Sequence, residues 1–208
     1  MAKVVELESG DFKLVEPLFE AFDSDRSLIG GVLEGNQIGR VFCEDAPTPR
    51  VAALFHPGEY GYVAGDPEVG DLRSLVEEVP CTAGVDVEEY EFLMPRNSTW
   101  IAHLNAVFGD RLKRDGYEYF TFTDSKMDWI RKWSDRLPDG VKIVQMDRDL
   151  ARRAEKAFHV AAVACWGSVE RFIDGGFGFD ASECRSKGAY TRCDGWVVFC
   201  VAWQQRRW

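Results

Sequence analysis

Trp166-Gly-Ser-Val-Glu-Arg-Phe-Ile-Asp-Gly-Gly-Phe-Gly-Phe179 gathers a tryptophan, a helix start at Ser168, a one-turn apolar stripe (Val169, Phe172, Ile173) and a glycine-rich exit. A serine hydroxyl just before a helix accepts one of the N–H groups that the first turn leaves without an intrahelical partner. Apolar residues three and four apart share one helix face. Glycine directly behind such a turn stops it, so Gly175-Gly-Phe-Gly178 reads as a helix stop that feeds a strand. The same glycines superficially suggest a phosphate cradle, but cradles of that type precede a helix and these follow one.

Upstream, Val141-Lys-Ile-Val-Gln-Met146 has strand character and Asp147 is placed to cap a long helix. Leu150, Ala151, Ala154, Phe158, Ala162 and Cys165 line its apolar face, which leads into Trp166. Just before this unit, Leu137-Pro138 and Asp139-Gly140 combine a helix end, a proline and a turn. A domain boundary is therefore expected there, dividing residues 1–139 from 140–208.

The first part alternates short strands with helices. Lys3–Leu7 is a strand candidate, and Pro17 opens a helix with Leu18, Phe19 and Phe22 on one face, with the membership of Leu14 and Val15 left open. Leu28-Ile-Gly-Gly-Val-Leu33 is apolar but broken by paired glycines, which suits a weak helix or a buried turn. Arg40–Cys43, Arg50–Phe55 and Tyr60–Ala64 then suggest an antiparallel meander. A helix over Asp71–Val79 is closed by Pro80, and Val87–Met94 alternates as a strand with its aromatics inward. Asn97 or Ser98 caps an amphipathic helix through Phe108. Tyr117–Thr123 is a strand, and a further helix runs to Trp133. No internal repeat is visible in the sequence. The expected fold class is α+β, a mixed and largely antiparallel sheet with flanking helices.

The tail from Asp180 differs in composition from what precedes it. It holds Arg185, Lys187, Arg192, Arg206 and Arg207, three of the six cysteines and three of the seven tryptophans. Over the whole chain of 208 residues the formal charge is −10, with 46% hydrophobic and 29% charged residues. That balance describes an ordinary globular protein and argues against broad phosphate-backbone binding, which needs clustered Lys and Arg. No nucleic-acid partner is expected. No apolar run approaches a membrane span and the N-terminus lacks a signal-peptide core, so a cytoplasmic protein away from membranes is expected. The cysteines at 43, 81, 165, 184, 193 and 200 form no C-x-x-C pair, which favours reduced thiols over a zinc site or a disulfide framework.

Few residues propose themselves for chemistry. Glu77, Glu78, Glu88, Glu89 and Glu91 could pair for acid–base work, but in so acidic a chain they read first as solvated surface. His56, His103 and His159 lie far apart, and neither helical histidine has a second ligand at i+4, so no metal site is expected. The sequence contains no G-x-S-x-G, Walker, H-E-x-x-H or G-x-G-x-x-G motif.

Three stretches together carry a family resemblance: Val141–Leu150, Trp166–Phe172 and Gly175–Phe179 resemble the start of the catalytic half of a GCN5-related N-acetyltransferase of the zwittermicin-resistance-like group. Val32-Leu-Glu-Gly35, Gly39-Arg-Val-Phe42 and Tyr62-Val-Ala-Gly-Asp66 are similar to that group's N-terminal half. The resemblance implies a degenerate acetyltransferase-like half over 1–139, followed by a catalytic half over 140–208 that is incomplete, its tail either a shortened core or a truncated or out-of-register ending. It implies transfer of acetyl from acetyl-CoA to a small-molecule or peptide amine. In that superfamily the cofactor pyrophosphate lies on a helix N-terminus behind an R/Q-x-x-G-x-G/A loop. The nearest match here is Arg185-Ser-Lys-Gly-Ala-Tyr190, so Arg185, Lys187, Gly188 and Ala189 are the candidate cofactor contacts, with Tyr190 where a small residue is expected. Ser168 and Glu170 are the polar residues at the helix start to test for catalysis, with helix capping as their plainer role. The other reading is a non-enzymatic binding or interaction module, prone to self-association as a homo-oligomer.

Overall fold

A computed structural model describes residues 3–22, 26–57, 60–94, 98–113, 132, 135, 141–158, 165–175, 177–183 and 199–201. The first sheet orders β1 (Val4–Glu6), β2 (Arg40–Glu44), β3 (Val51–His56), β4 (Tyr60–Gly65) and β5 (Glu91–Leu93) side by side. Its first four strands are antiparallel neighbours, and β5 runs parallel to β4. The expected α+β class and the antiparallel meander are both present.

Every residue of β3 is buried, because the sheet is covered on both faces. One face carries Phe42, Ala53, Phe55 and Val63 against Leu75, Val76, Trp100, Leu104 and Phe108. The other carries Val41, Ala52, Leu54 and Tyr62 against Phe12, Val15, Phe19, Phe22 and the helix α1 (Arg26–Leu33). Period-two alternation in the strands thus feeds two separate apolar layers.

Several local expectations are corrected. Residues 9–19 form two 3-10 turns, Ser9–Leu14 and Glu16–Phe19, which bury Val15 and leave Leu14 48% exposed. The paired glycines do sit in a helix: a Cβ on Gly31 would stand 2.5 Å from Gln37 Oε1, so the small residue makes room for a buried amide. Pro80 does not close its helix. A π-helical turn, Ser74–Glu78, runs into α2 (Val79–Thr82), and the Val79 N–H reaches five residues back to Ser74 O. That wider turn accommodates a ring that would collide with the i−4 carbonyl of a regular helix. Val87–Met94 is not one strand either: Val87–Glu89 is a 3-10 turn begun by Asp86, whose carboxylate accepts the Glu88 N–H, and only Glu91–Leu93 pairs. Tyr90 and Phe92 nevertheless pack inward, edge-on to Phe55. In α3 (Trp100–Phe108) the Ser98 hydroxyl accepts the Trp100 N–H. The strand and helix expected over 117–133, and the boundary at 138–140, lie outside the described residues.

A second sheet orders β6 (Val141–Gln145), β7 (Phe177–Glu183) and β8 (Phe199–Val201), all antiparallel. Among the described residues, the helices α4 (Arg148–Phe158) and α5 (Val169–Gly175) lie between β6 and β7 in the chain. Asp147 Oδ1 accepts the Leu150 N–H at 2.8 Å, the predicted cap. Met146, Ala151, Cys165, Trp166, Val169 and Phe172 form the core between them. The order β1, helical turns, α1, β2, β3 is matched by β6, α4, α5, β7, β8. In both units the first strand starts opposite the end of the second: Val4 pairs with Glu44, and Val141 with Glu183. A repeat invisible in the residues is visible in the topology.

Candidate functional site

At one end of the first sheet, β4 leaves through Gly65 (φ +90), where any side chain would overlap the Arg50 carbonyl. The Asp66 N–H donates to that carbonyl at 2.9 Å, so the β2–β3 turn lies directly beside the loop that leaves β4. This loop, 66–71, delivers the chain to a helix start, the geometry that exposes backbone donors to an anion. Here those donors are answered from within. Asp71 accepts the Ser74 N–H at 3.2 Å and the Ser74 hydroxyl at 3.0 Å, and these bonds hold its pKa below the usual carboxylate range. Asp66 and Glu68 add negative charge, and Glu68 pairs with His103 at 3.2 Å. Beside them lies a depression of about 420 Å³ lined by Glu68, Asp71, Leu72, His103 and Val107 among others. The Trp100 indole N–H closes the strand end by donating to Gly65 O at 3.3 Å. A pyrophosphate does not fit a helix start already capped by a carboxylate and flanked by two more.

At the opposite end, Gln37 enters the interior beneath α1, its N–H donating to Gly31 O at 2.7 Å. Its Oε1 lies 3.0 Å from His56 Nε2, which donates as the Nε2–H tautomer. Both side chains are buried, and burial lowers the His56 pKa to about 4. The sequence pointed to His56 only as one of three scattered histidines without a metal partner, and to Gln37 not at all. The only signal was a glycine pair inside an apolar helix, and its cause lies six residues downstream.

The segment Cys165–Arg171 meets the first sheet at this same place. The Ile38 N–H donates to Cys165 O at 2.8 Å, and Arg171 Nη2 donates to the carbonyls of Gly35 and Asn36. Gly167 sits at φ +76, and a Cβ there would come within 3.1 Å of Ile38 Cγ2. Ser168 Oγ accepts the Arg171 N–H at 3.1 Å, and Ser168 O accepts the Phe172 N–H at 3.0 Å. The Glu170 carboxylate accepts from Arg152 Nη2 at 2.7 Å. Its own backbone N–H first, then Arg152, hold its pKa down. Ser168 and Glu170 therefore share the start of α5 but bond in different directions, one along the helix and one across to α4.

Arg185, Lys187, Gly188 and Ala189 lie outside the described residues, in the connection from β7 to β8. Cys43, Cys81 and Cys165 are free thiols, and burial pushes Cys43 up to about 11 and raises Cys165. Two such thiols are poor nucleophiles. Among the described residues no group of three or more His, Cys, Asp and Glu could hold a metal, and no helix is long and apolar enough to cross a membrane.

Comparison with known proteins gives the arrangement a context. The sequence model of a family described as GNAT acetyltransferase matches residues 16–185. Among solved structures, a GCN5-related N-acetyltransferase-like protein from Streptococcus suis shares the fold with a TM-score of 0.55 at 22% identity. The match covers 84% of this chain and 66% of that one, just under two thirds of its length. No curated protein sequence matches the chain.

Proposed function

The chain belongs to the GNAT acetyltransferase family, and from that premise we propose that it moves an acetyl group from acetyl-CoA to a small-molecule or peptide amine. Within the family we assign it to the zwittermicin-resistance-like group, with a degenerate unit over 1–139 and the catalytic unit over 140–208. The repeated strand order carries this reading, because it gives the second sheet the same construction as the first. The first unit's own helix start, filled by Asp71, leaves the cofactor to the second. We place the protein in the cytoplasm, where thiols such as Cys81 stay reduced.

The β2–β3 turn touches the loop that leaves β4, and in the repeated strand order β7 and β8 correspond to β2 and β3. Arg185, Lys187, Gly188 and Ala189, which follow β7 in the sequence, offer two cationic side chains and a glycine, a chemistry suited to a pyrophosphate. Bound acetyl-CoA supplies the thioester. The chain's task is to hold the amine neutral, align its lone pair with the carbonyl carbon and accept its proton as the C–S bond breaks. Ser168 and Glu170 are the polar groups to test in that role. Glu170, kept ionised by its own backbone N–H and then by Arg152, accepts a proton only when those bonds loosen.

Calorimetric titration with acetyl-CoA tests the proposal. Saturable binding that is lost in Arg185→Ala and Gly188→Trp is expected. A folded chain that takes up no acetyl-CoA at high concentration would overturn it and leave an interaction module. For Glu170→Gln, unchanged cofactor affinity with a kcat lower by about a hundredfold or more assigns proton acceptance to Glu170, in the range general bases usually contribute. An unchanged kcat removes it from that role.

A further inference from the structure

The contacts between loop 34–39 and the segment Cys165–Arg171 connect the first sheet to the helix that precedes β7, and nothing in the proposed transfer uses them. The loop is anchored from inside by Gln37 on His56 and from behind by α1, which ends with the Gly35 N–H on Val32 O and Gly35 in the left-handed region at φ +73. The carbonyls that follow α1 carry the negative end of its dipole and attract a cation. Arg171 supplies it, bonding Gly35 O and Asn36 O from the first turn of α5. A backbone bond, Ile38 N–H to Cys165 O, adds a second tie, and Gly167 permits close approach to Ile38. On its far side α5 is tied to α4 by Glu170 with Arg152 and by Asp174 with Arg148. Helix α5 thus makes polar contacts to the loop that precedes β2 on one side and to α4 on the other.

We propose that loop 34–39 and Cys165–Arg171 form a latch through which the first unit fixes the position of α5, with Arg171 as its positioning residue. A seven-residue helix is too short to be stable alone, since isolated helices below about 12–15 residues are marginal in water. Its order is supplied from outside, by core burial of Phe172 on one side and the latch on the other. The first unit then contributes to function by position rather than by binding cofactor.

The experiment is native-state hydrogen exchange on the full chain without ligand, so its outcome is independent of whether acetyl-CoA binds. In Arg171→Ala the amides of α5, Phe172 included, are expected to exchange at least tenfold faster while those of β2 and β3 keep their rates. Local helix propensity predicts the opposite sign, because alanine is the better helix former. Arg171→Lys is expected to retain most of the protection, since a single donor nitrogen makes both contacts. Gly167→Ala, strained at positive φ and crowding Ile38, is expected to loosen the same amides with the Arg171 side chain still present. Unchanged or slower exchange of α5 in both Arg171→Ala and Gly167→Ala would overturn the latch. Equal acceleration across β2, β3 and α5 would also overturn it, as that is loss of global stability.

Discussion

His56 makes folding depend on pH through a single buried ring. Its folded pKa, about 4, lies below the ordinary value of 6.5, so between these values the unfolded chain binds the extra proton. Stability therefore rises with pH through that window, is complete above about 6.5 and falls as pH drops toward 4. A gap of this size corresponds to about 3 kcal/mol for a fully buried group. The imidazole resonances of His56 should titrate near 4, and urea midpoints should fall from pH 7 to pH 4.5. A ring that titrates near 6.5 would show that burial does not hold it neutral. Nothing in the sequence marks His56 as buried, because a lone histidine at a strand end has the same spacing whether buried or exposed. Only the fold brings Gln37, nineteen residues away, within 3.0 Å.

At the scale of elements, legibility followed the physics of each pattern. Strands β2, β3 and β4 were readable because alternation and bounding turn residues are local. The caps at Ser168 and Asp147 were readable for the same reason, since a side chain there reaches only two or three residues. The π turn ahead of Pro80 was not, because a proline reads as a stop and the compensation is a change of helical register. Asp71 combines both kinds of case. It was placed at a helix start, yet the importance of its bonds to Ser74 emerges only once β4 is seen to lead into that start. Asp71→Ala should cost about 1 kcal/mol, the usual worth of an N-cap, and lower the thermal midpoint by a few degrees. Phe55 lies edge-on to Phe42, Tyr90 and Phe92 at 5.1 to 5.9 Å between ring centres, completely inside. Phe55→Ala should cost about 3–5 kcal/mol in chemical denaturation. A loss below 1 kcal/mol would mean that β5 and its aromatics are not packed on β3.

The whole molecule repeats its topology without repeating its chemistry. Both sheets start with a strand whose first paired residue faces the last residue of the next strand, and both reach that strand through helical segments. The residues diverge because topology is set by coarse polarity and turn placement, which many sequences satisfy, whereas an anion site needs unoccupied N–H donors and favourable charge at one helix start. The first unit fails that requirement in a specific way: Asp71 caps the helix start by accepting the Ser74 N–H and hydroxyl, and Asp66 and Glu68 repel phosphate from the surroundings. Acetyl-CoA should consequently saturate the chain at one molecule, not two. Removing Asp71 as a cap should leave that number unchanged, because Asp66, Glu68 and the Trp100 indole still close the loop end. Titration calorimetry on the full chain reads the stoichiometry directly. One site lost in Arg185→Ala locates the cofactor in the second unit, whereas two sites, or one site that survives Arg185→Ala and disappears with Gly70→Trp, would return it to the first.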